Sequence, residues 1–252
     1  MRLATVAICL TWMAYAGLAG AEDFRIESTV FANKEKEPVS RGSTVFHAGV
    51  AYDYLADPPR TAVLDKAHGR FILLDTRRHE KTELKLEEIS TTIATLRGMA
   101  EKSPNAFLKF AANPKFEPKA NDETGALDFI GTALTYRVKC VAAPSPQAAQ
   151  QYRDFLDWTA RLNSMMTPAA PPPFARLAVN EEVAGRNLMP ESVELVIPKQ
   201  LALGGRGLTL RSEHVLTWRL LQKDLDQIAA TGSQMASFKL VPFSEYRKHQ
   251  PQ

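Results

Sequence analysis

Apolar and polar positions along this chain alternate by twos, shift to steps of three and four, and then go through the same change again. Phe24, Ile26, Ser28 and Val30 alternate with Arg25, Glu27, Thr29 and Phe31, which predicts a strand. Lys34-Glu35-Lys36-Glu37-Pro38 breaks the pattern, because a charge run ending in proline does not fit a central strand. Ser43 to Leu55 predicts one long strand with Phe46, Ala48, Val50, Tyr52 and Tyr54 on one face, ended by Asp57-Pro58-Pro59. Thr61 to Leu64 and Arg70 to Leu74 flank the loop Asp65 to Gly69 as a hairpin, and Glu80 to Leu86 follows Asp75 to Arg78. Successive strands joined by such short turns make an antiparallel meander.

The helical period begins with Ile89, Ile93, Leu96 and Ala100, with Glu87 and Glu88 in the first turn where the helix dipole favours anions. A second group of strands is predicted from Phe107 to Val141. Leu134, Tyr136, Val138 and Cys140 alternate at its end. Ser145-Pro146 then starts the clearest helix: Ala148, Tyr152, Phe155, Thr159, Leu162 and Met166 form one stripe. Arg153, Asp157 and Arg161 form a charged ladder on its opposite, outer face. Pro168 to Pro173 joins two elements of one domain. A shorter helix from Pro173 to Val183, strands Glu191 to Ile197 and Leu208 to Leu220, a helix through Leu225, Ile228 and Ala229, and a closing strand Ser237 to Phe243 complete the pattern. The expected class is α+β, an antiparallel sheet with helices laid on it.

The first segment stands apart. Met1-Arg2, the apolar run Val6 to Leu18 and Ala19-Gly20-Ala21 before Glu22-Asp23 have the three parts of a secretory signal, with cleavage after Ala21. The apolar run is shorter than the roughly 20 residues a membrane anchor needs. A lipoprotein signal needs a cysteine at the cleavage site, and Cys9 lies mid-run. The expected mature chain, residues 22–252, is a soluble single domain of the periplasm or the exterior, with no transmembrane segment. Of the two cysteines it keeps only Cys140, so its stability must come from a packed core. A 45% hydrophobic and 23% charged composition excludes a disordered or collagen-like chain, and a net charge of +3 gives no reason to expect a nucleic-acid partner.

Candidate chemistry is sparse. Asp65 with His68 and Asp75 with His79 have ligand-like spacing, but they fall in turns, where aspartate is favoured for its local hydrogen bonds. Cys140 shares a face with Tyr136 and Val138 and reads as a small buried side chain. No Gly-x-Ser-x-Gly occurs, and Gly204-Gly205-Arg206-Gly207 precedes a strand, so it reads as a turn and not a phosphate loop. Glu87-Glu88 and Glu181-Glu182 read as helix-surface charge, and Arg77-Arg78-His79 with Lys81 as a solvated turn. No catalytic residue, cofactor or metal is expected.

Phe71-Ile72-Leu73-Leu74-Asp75 followed by Leu86-Glu87-Glu88-Ile89, and Gly185 before the strand through Val193, Leu195 and Ile197, resemble passages of the LolA-like lipoprotein-carrier superfamily. The resemblance spans Phe24 to about Tyr246. It implies a strongly curved antiparallel sheet, an open half-barrel, with about four helices packed on one face and an apolar cavity between. It further implies a non-enzymatic role: binding a lipid, a lipoprotein acyl chain or a protein partner. The expected ligand-facing residues are Tyr136, Val138, Phe155, Leu162 and Trp218. The competing class is an exported hydrolase without a local motif, in which His47 or His214 would meet a carboxylate inside a polar pocket.

Overall fold

The computed structural model describes residues 22–33, 35–121, 123–167, 171–201 and 207–249. The expected signal segment with its cleavage site at Ala21, Pro168 to Ala170 of the proline stretch and Gly204 to Arg206 lie outside the described residues.

The order of elements is β1 (Phe24–Ala32), β2 (Ser40–His47), β3 (Val50–Leu55), β4 (Arg60–Asp65), β5 (Arg70–Asp75) and β6 (Glu80–Lys85), then α1 (Leu86–Lys102) and α2 (Ala106–Ala112). There follow β7 (Glu117–Asn121), β8 (Ala126–Ile130), β9 (Thr135–Ala142), α3 (Pro146–Met166), α4 (Phe174–Gly185), β10 (Leu188–Ile197) and β11 (Leu208–Thr217). The chain ends with α5 (Gln222–Ser237), β12 (Lys239–Leu240) and α6 (Phe243–Lys248).

All the strands join one 12-stranded sheet in the order β12-β6-β5-β4-β3-β2-β1-β11-β10-β9-β8-β7. Two antiparallel meanders meet at the β1–β11 seam, where Ile26 faces Leu216 and Ser28 faces His214. Among the described residues only β12 runs parallel, adding two residues to β6. The fold is α+β with a mostly antiparallel sheet.

Side chains of alternate strand residues point to opposite faces. On the front face, Phe24, Phe46, Leu64, Phe71 and Leu84 pack under Ile89 and Ile93 of α1 and under Tyr152, Phe155 and Leu162 of α3. Beyond the seam, Tyr136, Val138, Val193 and Leu195 pack under Phe107 of α2 and Val179 and Val183 of α4. The back face carries a small cluster, Val63, Ile72 and Leu74, closed by Met235 of α5 and by Phe238. Tyr54 reaches Thr231 of α5 with a 3.1 Å hydrogen bond on this side. The helices therefore differ from the expected four on one face. Among the described residues there are six, with α5 on the back.

Four local readings change for physical reasons. Ser43 to Leu55 is two strands, because Ala48 and Gly49 both take positive φ, 49° and 80°, and turn the chain between His47 and Val50. That two-residue loop has the twist a tight hairpin needs, and it sends Val50, Tyr52 and Tyr54 to the back while Phe46 stays in front. Ala106 to Ala112 is a helix capped by Asn105, whose side chain accepts from the Leu108 amide, and not part of a strand. The closing strand shrinks to Lys239–Leu240, and the segment after Pro242 becomes α6. On α3 the apolar stripe is as predicted, but Asp157 is not on an outer face. It is 8% exposed because α4 covers it. Asn180 of α4 donates to Asp157 at 2.8 Å.

Candidate binding cleft

Strand register stacks three rows across the front face of β3 to β6. The innermost is apolar: Ala51, Leu64, Phe71 and Leu84 lie side by side. The next holds Asp53, Ala62, Leu73 and Thr82. The outermost holds Leu55, Arg60, Asp75 and Glu80. The face thus grades from hydrocarbon to charge over two residue steps along each strand.

A cleft of about 300 Å³ opens over the outer two rows. Asp53, Leu55, Arg60, Ala62 and Leu73 form its floor, and Ser40 of β2 borders it. Its roof is the C-terminal half of α3, through Thr159, Leu162, Asn163 and Met166, together with Tyr246 of α6. Behind it the core is closed: Phe155 meets the Phe46 ring edge-on at 5.5 Å, and Phe46 stacks on Phe24 at 4.2 Å.

The C-terminal segment holds Tyr246 in place by several anchors. The Val241 amide donates to the Lys81 carbonyl at 2.9 Å, Arg78 donates to the His249 carbonyl at 3.2 Å, and His249 Nδ1 lies 3.2 Å from Glu80. Arg247 reaches back to the Met165 carbonyl in the last turn of α3, also at 3.2 Å. These ties add to the packing of Val241, Phe243 and Tyr246 in the core, and together they fix a six-residue helix too short to be stable alone.

Electrostatics follow the layering. Burial pushes the Asp53 carboxyl above its ordinary value, opposed by a 2.7 Å hydrogen bond from Thr44 and by the charge of Arg60. Burial likewise raises the Tyr246 phenol; Arg60 opposes this shift, and Asp75 and Glu80 add to it. Thr159 Oγ1 is buried among the described residues without a hydrogen-bond partner.

The expected ligand-facing residues separate. Leu162 lines the cleft, and Phe155 lies in the core that backs it. Tyr136 and Val138 belong to the packed half beyond the seam. The space beside Val138, about 10 Å³, has room for about one water at most. Trp218 is 43% exposed, with its ring tilted 5.5 Å from Phe24.

The histidines do other work. His214 sits between two hydroxyls, with Nδ1 2.9 Å from Ser28 and Nε2 3.0 Å from Ser212. Burial and the charge of Arg176 lower its pKa to about 4. His47 does meet a carboxylate, Asp23, at 2.8 Å, but on the open surface beside the Ala48 turn, away from the cleft. Asp65 accepts from the His68 ring at 2.7 Å and from its amide at 3.2 Å, while Asp75 accepts the Arg77 and Arg78 amides at 3.0 Å. Both aspartates anchor turns, and among the described residues no three potential metal ligands converge. Burial pushes the Cys140 thiol up to about 11, which leaves little thiolate at neutral pH.

Asp53, Arg60, Asn163 and Tyr246 escape sequence reasoning. Asp53 falls on the outward side if Val50, Tyr52 and Tyr54 are placed inside, and only the turn at Ala48 reverses that assignment. Compared with known proteins, the chain matches no family model and no curated protein. Among the described residues no helix is long and apolar enough to cross a membrane.

Proposed function

We propose that this chain is an exported, non-enzymatic binding domain that holds one small amphiphile in the cleft between α3, α6 and strands β2 to β5. On this reading the sheet curves around α3 as an open half-barrel, in the manner of LolA-like carriers. The observation that carries the proposal is the cleft itself, with an apolar back wall beneath Leu162 and a polar floor at Asp53 and Arg60. Its 300 Å³ lies at the lower end of the range of about 300–1,000 Å³ for small-molecule pockets. The rest of the front face is filled by aromatic and branched side chains. A single short chain fits such a space; a lipoprotein anchor with several acyl chains does not.

The test is extraction. Protein purified from the exported fraction is treated with organic solvent and the extract analysed by mass spectrometry beside a mock purification. One amphiphile enriched in near-equimolar amount is the expected result. An extract identical to the mock would remove the carrier reading. A protein-partner role on another surface would then be the reading to pursue.

A further inference from the structure

Resting on that binding role, we propose that the cleft selects amphiphiles by their heads: it takes a head that donates hydrogen bonds and carries no negative charge, and it rejects carboxylate and phosphate heads. The argument begins with the rows. Any chain lying on Leu55, Ala62 and Leu73 brings its head against Asp53 and Arg60, the two charged residues among the described lining, with Asp75 and Glu80 continuing the Arg60 row beyond it. Three carboxylates thus share this face with one guanidinium, and Asp75 and Glu80, which hold the Arg77 and Arg78 amides and His249, act on the cleft through their charge alone.

The neighbouring cations do not reverse that balance. Arg247 is engaged with the Met165 carbonyl, and His249 with Glu80. The roof adds to the negative side, because the cleft lies at the C-terminal end of α3. The last turn of that helix contains no basic residue of its own, and its Asn163 and Met166 line the space together with the capping Thr167. Carbonyls at a helix C-terminus carry partial negative charge and favour cations or donors.

The floor also offers acceptor positions on Asp53. Thr44 occupies one position of the Asp53 carboxylate, which offers about four. An ammonium or a hydroxyl can fill the remainder. A carboxylate or phosphate would be desolvated against like charge, at a large loss of binding. The space holds roughly ten water-sized groups, so probes with ten-carbon chains are the right scale.

Monodecanoyl glycerol, decylammonium and decanoate are titrated into the purified protein by calorimetry, all below their aggregation concentrations. The first two should bind about ten-fold or more tighter than decanoate. Asp53→Asn should weaken decylammonium and narrow its lead over decanoate. Asn163→Trp adds bulk at an exposed rim position and should weaken all three. Decanoate binding as tightly as the other two would overturn the head selection and leave the binding role standing. No saturable binding of any probe, or binding indifferent to Asn163→Trp, would overturn the binding role itself. If Asp53→Asn fails to fold, as judged by circular dichroism, the ranking of the three probes on the unaltered protein decides the matter.

Discussion

Asn180 of α4 donates its side-chain amide to the carboxylate of Asp157 on α3 at 2.8 Å, and both residues are almost fully buried. The bond ties the two helices that roof the front face. Burial raises the Asp157 carboxyl above its ordinary value, while the Asn180 hydrogen bond and the charges of Arg161 and Arg153 pull it back. The periodicity of α3 alone makes Asp157 a solvated ladder residue, worth a few tenths of a kcal/mol.

Asp157→Ala should therefore destabilise the protein by about 1–3 kcal/mol, since it leaves the Asn180 amide buried without its acceptor. Urea unfolding measures this directly. A loss of only a few tenths would mean that the two helices separate readily in solution.

Phe155→Ala should cost more, about 3–5 kcal/mol, because a large side chain at the centre of the α3–sheet contact leaves a cavity. A melting temperature nearly unchanged in the ligand-free protein would show that α3 is a movable cover and not part of the core.

His214 provides a pH signature. Its pKa in the folded chain is lowered to about 4 from an ordinary 6.5, so between these values the unfolded chain binds more protons. Its neutral form favours folding: that contribution is fully present above about 6.5 and is lost as pH falls towards about 4. The shift amounts to about 3 kcal/mol at most. Asp53 and Asp157, with raised values, act in the opposite sense, their destabilising effect growing as pH rises. Comparing the unaltered protein with His214→Gln from pH 7 to pH 4 cancels the aspartates, and the gap between their stabilities should change steadily in favour of the glutamine variant. A constant gap would show that His214 is not held neutral between Ser28 and Ser212.

Ala48 should be improvable. It holds φ 49° in a two-residue hairpin loop whose first position favours asparagine. Ala48→Asn should raise stability by a few tenths to about 1 kcal/mol, visible as a higher melting temperature. A lowered value would mean that the Asp23 contact to the Ala48 amide, at 3.1 Å, depends on the smaller side chain.

These cases also show what was legible in the chain and what was not. The α3 stripe was readable because one helix carries the whole signal in its own spacing. The strands around Phe71 and Val193 were readable for the same reason. The break between β2 and β3 was hidden, since an alanine at positive φ leaves no compositional mark and the alternation runs on through it. The burial of Asp157 was hidden because it depends on α4, more than a dozen residues away in sequence. Of the cleft's lining, Thr159, Leu162 and Met166 stand on one stripe of their own helix, and Leu162 alone was among the expected ligand-facing residues. Asp53 and Arg60 are brought together by the pairing of β3 with β4, and Tyr246 joins them only when β12 and α6 fold back on β6.

The seam between β1 and β11 has a consequence for how the molecule comes to be made. Arg25 pairs with Thr217, so one side of the first strand waits for a partner almost at the far end of the chain. Pairings that close such long loops are entropically delayed and slow the search for the native state. While synthesis proceeds, β1 through β6 can zip up as they emerge, but β1 keeps a bare edge that any other extended segment could occupy. Arg25, Glu27 and Thr29 make the back face of that edge strand polar, and charged residues on an edge strand disfavour such a visitor. A strand made early is thereby kept available for a partner made much later.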